Sequence, residues 1–274
     1  MKKKISSFLI HLELIIVAVF VLVPILWIVT SSFNKGDGLA SSGLIPKTFT
    51  LHNYARLFQD TNYGMWFINS LGIAILNAAL SVLLIIITAW IYSRFNFRGK
   101  KMSLMTMLLL SMFPTFLSMT AIYTLFLTLG LLDKPLALVI IYVAGAIPYN
   151  VWLVKGYLDG LSKEIDEAAY IDGCTYFGTF TKIILPLSKP IITYCAVSQF
   201  MQPWMDYILP NMLLSGDANK TLAVGLFSMI TGKENSNFTM FAAGSILIAV
   251  PITILFMIFQ KYLVQGISSG ANKG

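Results

Sequence analysis

Apolar residues in this chain come in long uninterrupted runs separated by short polar breaks. They show neither the alternation of a half-buried strand nor the three-and-four spacing of an amphipathic helix on a soluble core. A helix needs roughly 20 predominantly apolar residues to cross a hydrocarbon layer of about 30 Å, at about 1.5 Å per residue. Six stretches meet that length, near 14–33, 65–93, 102–128, 135–154, 190–209 and 238–260. The pattern predicts an all-α polytopic membrane protein, one transmembrane domain over residues 1–274 with six transmembrane helices. The breaks at 94–101 and 130–134 are short, so spans two to four should form an antiparallel group. Longer polar segments fall at 34–64, 156–189 and 210–237, and neither the first nor the last is long enough for an enzyme domain.

Composition agrees. Of 274 residues, 57% are hydrophobic and 11% charged, and the mean hydropathy is +0.78. A soluble core of this length could not hide so much apolar surface, so lipid must be part of the solvent. Basic residues set the orientation, because those flanking spans are retained in the cytoplasm. With both termini inside, the inner segments hold Lys2, Lys3, Lys4, Arg94, Arg98, Lys100, Lys101, Lys155, Lys163, Lys182, Lys189, Lys261 and Lys273. The outer segments hold Lys35, Lys47, Arg56, Lys134, Lys220 and Lys233. This asymmetry accounts for much of the +7 net charge, which a nucleic-acid binder would gather into a folded basic surface. The first apolar run is too long for a signal core and lacks a small-x-small cleavage pattern, so it reads as an anchor.

Candidate chemistry is sparse. Cys174 and Cys195 fall where a stable disulfide is not expected and read as small packing residues, and neither has metal-ligand spacing. His11 and His52 stand far apart in the chain, which argues against a metal site or a catalytic diad. Pro24, Pro114, Pro148 and Pro251 lie inside apolar runs, where each removes a backbone donor and favours a kink. Kinks suit a path between helices, although membrane helices commonly tolerate proline.

The 156–189 segment carries the signals of two short helices. Ser162 can cap the first; Glu164, Asp166 and Glu167 place negative charge in its opening turn; and Gly173 suits the left-handed residue that ends it. Ile165, Ala168, Ala169 and Asp172 share a face by spacing, and two alanines there would let another surface approach. The second helix puts Phe177, Phe180 and Ile184 on one stripe that would anchor it to the spans, and Pro186 marks the break before span five. These features fit a docking element and equally an amphipathic helix lying on the membrane surface.

Glu167-Ala168-Ala169, Asp172-Gly173, then Phe180, Ile183, Leu185 and Pro186, resembles the EAA signature of ABC importer permeases, with Cys174 where that family usually has alanine. The resemblance extends over nearly the whole chain and is closest to carbohydrate-importer permeases of the shorter maltose-transporter membrane subunit type. Asn69-Ser70, Arg94-Phe95-Asn96-Phe97-Arg98-Gly99, Gly130-Leu131, Pro148, Trp204, Asp206 and the 260–266 segment carry it. Asn272-Lys273-Gly274 is similar to a tail that reaches the ATPase in that group.

The resemblance implies a cytoplasmic coupling helix that sits in a cleft of a partner ATPase dimer. Glu167, Ala168, Ala169, Asp172, Gly173, Cys174, Phe177, Phe180 and Pro186 would serve that coupling. It also implies a second permease subunit in a heterodimer, and an extracytoplasmic sugar-binding protein touched by the 210–237 loop. The setting is the bacterial cytoplasmic membrane. No Gly-x-x-x-x-Gly-Lys-Ser/Thr loop is present to cradle phosphates, so this chain is expected to be non-catalytic and to bind no cofactor, with ATP and Mg on the partner.

Tyr149, Asn150, Trp152, Gln202, Trp204 and Asp206 could offer stacking faces and hydrogen bonds along a sugar path, and aromatics near span ends are also ordinary interface anchors. Maltose or a maltodextrin is the preferred substrate, with galacto-oligosaccharides, raffinose-type sugars and glycerol phosphate open. An ion-coupled secondary transporter would need an acid deep in the spans. Asp206 lies sixteen positions after Pro190, about 24 Å along a helix, so it belongs near the outer interface as a solvated or gate-side carboxylate. Glu13 reads as an interfacial charge. No nucleophile and base pair, paired aspartates or metal motif suggests an intramembrane enzyme.

Overall fold

A computed structural model describes residues 2–38, 45, 48–231 and 237–271. Lys47, Lys233 and the tail Asn272-Lys273-Gly274 therefore lie outside the described residues. Helix is the only regular element among the described residues. In chain order they are α1 (Lys2–Ser32), α2 (His52–Gln59), α3 (Tyr63–Arg94), α4 (Lys100–Ser111), α5 (Thr115–Thr128), α6 (Pro135–Asp159), α7 (Glu164–Ile171), α8 (Tyr176–Thr179), α9 (Leu185–Leu187), α10 (Lys189–Met205), α11 (Ile208–Leu213), α12 (Leu222–Thr231) and α13 (Phe238–Ala271).

Among the described residues four helices are long and apolar enough to cross a membrane, or up to six if each of two bent pairs is one span. The third apolar stretch is thus divided at Pro114, where a kink is expected, and the chain bends again in front of the fifth. Lys100–Ser111 and Phe116–Thr128 meet at 100° and Tyr176–Leu187 and Lys189–Met205 at 77°. Pro114 is the extended residue in front of α5, where its missing N–H and ring prevent the helix from continuing through it. Pro24, Pro148 and Pro251 sit inside unbroken helices, so of the four prolines only Pro114 divides its span.

The chain forms two compact units. One comprises Met1–Met65 with Val224–Pro251. In it the buried Asn53 amide donates to the carbonyls of Ser32 and Asn34 at 2.9 and 2.8 Å, closing the turn after α1. Thr239 Oγ1 donates to Gly36 O at 2.6 Å. Asp37 and Asp60 flank the Arg56 guanidinium and hold it above its ordinary pKa, chiefly through the Asp37 hydrogen bond. Gly244 packs so closely that a Cβ there would lie 2.4 Å from Leu226.

The second unit, Trp66–Ala223 with Ile252–Gly274, contains every residue of the EAA-like segment. Within it α6 packs on α4, α10 and α11. Pro135 is well placed at the first turn of α6, where an N–H would have no helical partner. One core cluster gathers Ile85, Ala89, Trp90, Val151, Val154, Leu158, Phe180, Ile184 and Ile191, and a second gathers Ile73, Phe126, Leu138, Tyr142, Leu209 and Leu213.

Candidate functional site

The polar 156–189 segment folds as two short helices against the end of α3. Ser162 Oγ accepts the Glu164 N–H at 3.3 Å, which satisfies one of the free amides at the start of α7. Gly173, at φ 85, ends α7: its N–H bonds Tyr170 O at 3.0 Å and the Cys174 N–H bonds Ala169 O at 2.9 Å. That pair of bonds is the Schellman closure, and its left-handed residue favours glycine. Thr175 Oγ1 then accepts the Gly178 N–H at 3.1 Å and starts α8.

An ion pair that spacing does not reveal fixes α7 to the spans. Arg94 Nε lies 2.9 Å from Asp166 Oδ2, and each side chain is only 6% exposed. The rest of the guanidinium is also used: Nη1 donates to Leu158 O at 3.0 Å and Nη2 to Leu161 O at 3.3 Å. Next to it Ser93 Oγ donates to Asp159 Oδ1 at 2.7 Å, and Lys155 Nζ lies 2.6 Å from Asp159 Oδ2. One cation at the last residue of α3 thereby holds the end of α6, the following turn and α7 together. Burial and the nearby Asp166 charge push the Tyr170 phenol above its ordinary pKa.

This pairing corrects the predicted face of α7. Asp166 and Ala169 are buried, while Glu164, Ile165, Glu167, Ala168, Ile171 and Asp172 are exposed. Ala169 therefore packs inward, and Ala168 belongs with Glu167 on the open side. Adjacent residues on a helix are about 100° apart, so the two alanines cannot both face a partner when one is buried. Ile171 is 86% exposed on that open side.

The aromatic stripe divides as well. Phe180 is buried against Trp90, with ring centroids 4.6 Å apart, and Ile184 is fully buried, so these two anchor the second helix. Phe177 is 70% exposed and does not. Trp90 also meets Phe95 at 5.1 Å, and Phe95 meets Tyr176 at 5.7 Å. Between α8 and α9 the chain makes a π turn over Phe180–Ile184, with Leu185 N–H bonded to Phe180 O. Pro186 follows directly; its ring crowds the carbonyl four residues back and it offers that carbonyl no proton, which the wider turn accommodates. Ser188 is buried and bonds Ile184 O at 2.7 Å at the bend into α10. Cys174 is half-buried and Cys195 buried, both as free thiols.

The six path candidates do not meet in one place. Tyr142 OH donates to Asp206 Oδ2 at 2.8 Å, and Cys195 lies 3.9 Å from Asn150 Oδ1, so α6 and α10 run antiparallel. Gln202, Trp204 and Asp206 thus lie some 10–16 Å along the bundle from the level of Asn150. Asp206 accepts from both Tyr142 and the Leu209 N–H in front of α11; it is partly buried, so of the two expected forms it is not the fully solvated carboxylate. Trp152 donates to Leu104 O at 2.9 Å inside the bundle, while Tyr149 is exposed. Gln202 accepts from Asn77 Nδ2 at 3.3 Å, and the same amide bonds Gln199 O at 2.7 Å. Ser81 bonds Asn77 in turn. Asn77 and Ser81 form a polar seam midway along α3, and only a partner on α10 distinguishes them from other small polar residues in a membrane helix.

At the far end of α6 a different arrangement orders the loop after α11. Asp133, at φ 58, accepts the Ser215 and Gly216 N–H groups at 3.0 and 2.8 Å, which hold its carboxyl below its ordinary value, Gly216 most of all. Asn219 Nδ2 donates to Asp133 O at 2.9 Å. Trp66 Nε1 donates to Asp217 O at 2.8 Å, and Asn69 to Ala218 O and Lys220 O.

Residues 81–269 match the model of the family described as binding-protein-dependent transport system inner membrane component. The chain is 38% identical over 267 residues to the galactooligosaccharides transport system permease protein of Bacillus subtilis, covering 96% of this chain and 94% of that one. It is 39% identical over 264 residues to the maltodextrin transport system permease protein of the same organism, covering 96% and 95%. Its fold is similar to a chain in the crystal structure of a bacterial ABC transporter involved in the import of the acidic polysaccharide alginate, with TM-score 0.84, 22% identity and coverage of 96% and 98%.

Proposed function

We infer that this chain, which belongs to the family of binding-protein-dependent transport system inner membrane components, is the permease subunit of an ATP-driven importer that carries an oligosaccharide across a bacterial cytoplasmic membrane. The observation that carries the reading is α7: a short helix clamped from behind by the buried Arg94–Asp166 pair, with Glu167, Ala168 and Ile171 left open on its other side. A helix that merely floats on lipid would not need a buried ion pair at its root. A helix that receives force from a partner does, because the pair ties α7 to α3 and to the end of α6.

The partners that follow are an ABC ATPase dimer seated on the open side of α7, a second permease subunit completing a heterodimer, and an extracytoplasmic binding protein. Both termini and α7 lie on the cytoplasmic side, in keeping with the basic residues at that end. ATP and Mg belong to the ATPase. Push on α7 travels by two routes: through Asp166 and Arg94 into α3, and through Phe180, the π turn and Pro186 into α10.

The relatives' names favour an oligosaccharide, and maltodextrin is the preferred solute, with galacto-oligosaccharide next. Gln202 with Asn77 at mid-span, and Trp204 beside Phe67 at 5.5 Å, supply the amide and aromatic groups that sugar hydroxyls and apolar sugar faces use.

Reconstitution of the chain with its companion subunits in vesicles tests the reading, with uptake of a panel of labelled oligosaccharides measured against ATP supply. ATP-dependent uptake of maltodextrin that requires the binding protein is expected. Uptake that runs on a proton gradient without ATP would overturn it.

A further inference from the structure

Beside the coupling segment, and unused by it, the break between α3 and α4 opens into a cavity of about 570 Å³ lined by Asn96, Phe97, Lys100, Lys101, Met102 and Lys155, among others. It lies where one membrane helix ends and the next begins, so it sits at the depth of lipid headgroups. Three lysines line it. Lys155 is neutralised by Asp159 at 2.6 Å, and Lys100 Nζ donates to Phe95 O at 2.9 Å, which leaves a surplus of two positive charges. The start of α4 adds to the field: its N-cap is Gly99 at φ 88, no side chain caps it, and nothing lies within 4 Å of where a Cβ would be. The Lys100 N–H is taken by Phe97 O at 3.3 Å, and the turn beyond it has no side-chain cap; a helix start of this kind favours an anionic oxygen.

An apolar track leads away from this basic mouth. Met102 is 79% exposed, and Met105 and Leu109 follow it along α4 at three and four residue spacing, 49% and 61% exposed. Phe97, on the cavity wall, is also exposed. Cations at a membrane interface beside an exposed apolar stripe that runs into the span match an amphiphile: an acid head and a hydrocarbon tail. A free phosphate would have no use for the stripe, and a water-soluble partner would not extend along it into the membrane.

We propose that this cavity binds the headgroup of an anionic phospholipid, with Lys100, Lys101 and the amides opening α4 on the phosphate and one acyl chain lying along Met102, Met105 and Leu109. The bound lipid acts as a wedge behind the α3–α4 turn, next to Arg94. The site depends on the fold and on α4 lying in the membrane; it does not depend on which solute is carried.

Native mass spectrometry of the full chain, purified in detergent with the subunits that accompany it, tests this with phosphatidylglycerol, phosphatidylcholine and inorganic phosphate as probes. Phosphatidylglycerol should stay bound where phosphatidylcholine does not. Lys101→Gln should weaken it about fivefold, Lys100→Gln with Lys101→Gln further, and Lys101→Arg should keep it. Leu109→Gln should weaken it with no cation changed. Arg98→Gln, which removes a cation on the same break that does not line the cavity, should leave it unchanged. An equal loss in Arg98→Gln would reduce the effect to bulk surface charge and sink the proposal. So would displacement of the lipid by inorganic phosphate, or binding that occurs only once the companion subunits are stripped away, since the face would then belong to a protein. Because the assay reads binding, it can succeed or fail independently of ATP-driven uptake.

Discussion

The two ends of α6 each hold a loop in place with one aspartate, and they do it differently. At the Asp159 end, Asp166 is buried against the guanidinium of Arg94, side chain to side chain between two helices. At the Pro135 end, Asp133 is wrapped by backbone amides of Ser215 and Gly216. Amides belong to the loop itself, so the second arrangement dictates the loop's shape. A guanidinium reaches from a different helix, so the first dictates distance and leaves α7 free to keep one face open. One end is built as a fixed platform and the other as a joint.

The largest expected effect lies at the joint. Arg94→Met strands the buried Asp166 charge, which costs about 3–5 kcal/mol when one partner of such a pair is removed. Thermal unfolding of the purified chain should record that loss, and ATP-driven uptake should fall with it. Adding Asp166→Leu should restore much of the stability, since an apolar pair can replace a buried ion pair. Uptake should recover less, if directed contact between α7 and α3 is what carries force. Full recovery of both would mean that the pair only fills space.

At the platform the effect is smaller and local. Asp133→Ala removes the acceptor of two amides, about 1–2 kcal/mol, and should speed hydrogen exchange over 214–221 without changing it in α7. Asp133→Asn, which keeps one acceptor and tolerates the left-handed backbone, should do less. Acid gives the same result without mutation. The Asp133 carboxyl is held below its ordinary value of 3.8, so its contribution is fully present above that value and is lost as pH falls through the lower folded one. Protection of 214–221 should therefore survive mild acid and disappear only beneath the usual carboxylate range. Loss of protection already near neutral pH would show that Asp133 is not the pin.

Smallest is Trp66→Phe, which deletes one N–H bond to Asp217 O and should cost about 0.5–1.5 kcal/mol. A drop as large as that of Arg94→Met would erase the contrast between the ends.

Much of this was legible in the residues. Run length alone reports membrane helices, because lipid demands it whatever the packing. The position of Gly173 was also readable, since the left-handed end of α7 needs a residue without Cβ. The partner of Arg94 was not: a cation near a span end serves equally as a topology signal, and only folding brings it to Asp166. Nor could spacing choose between Ala168 and Ala169, because the buried side of a short helix is set by what it packs on. Asp133 hid for a third reason. Its left-handed backbone carries no Gly or Asn signal, and its partners lie 82 and 83 positions away. The breaks at Pro114 and Pro186 were readable as prolines, but the angles of 100° and 77° were not, because run length counts residues and ignores direction.

The π turn over Phe180–Ile184 makes the segment sensitive to its length as well as its composition. A π turn holds one residue more than an α turn, and each residue rotates a helix by about 100°. Deleting a single residue there would relax the turn to ordinary helix, swing α8 round relative to α10, and point Phe180 away from Trp90. Most loops on a protein surface absorb insertions and deletions. Descendants of this chain should keep the residue count between Gly173 and Pro186 unchanged even where side chains in the segment vary.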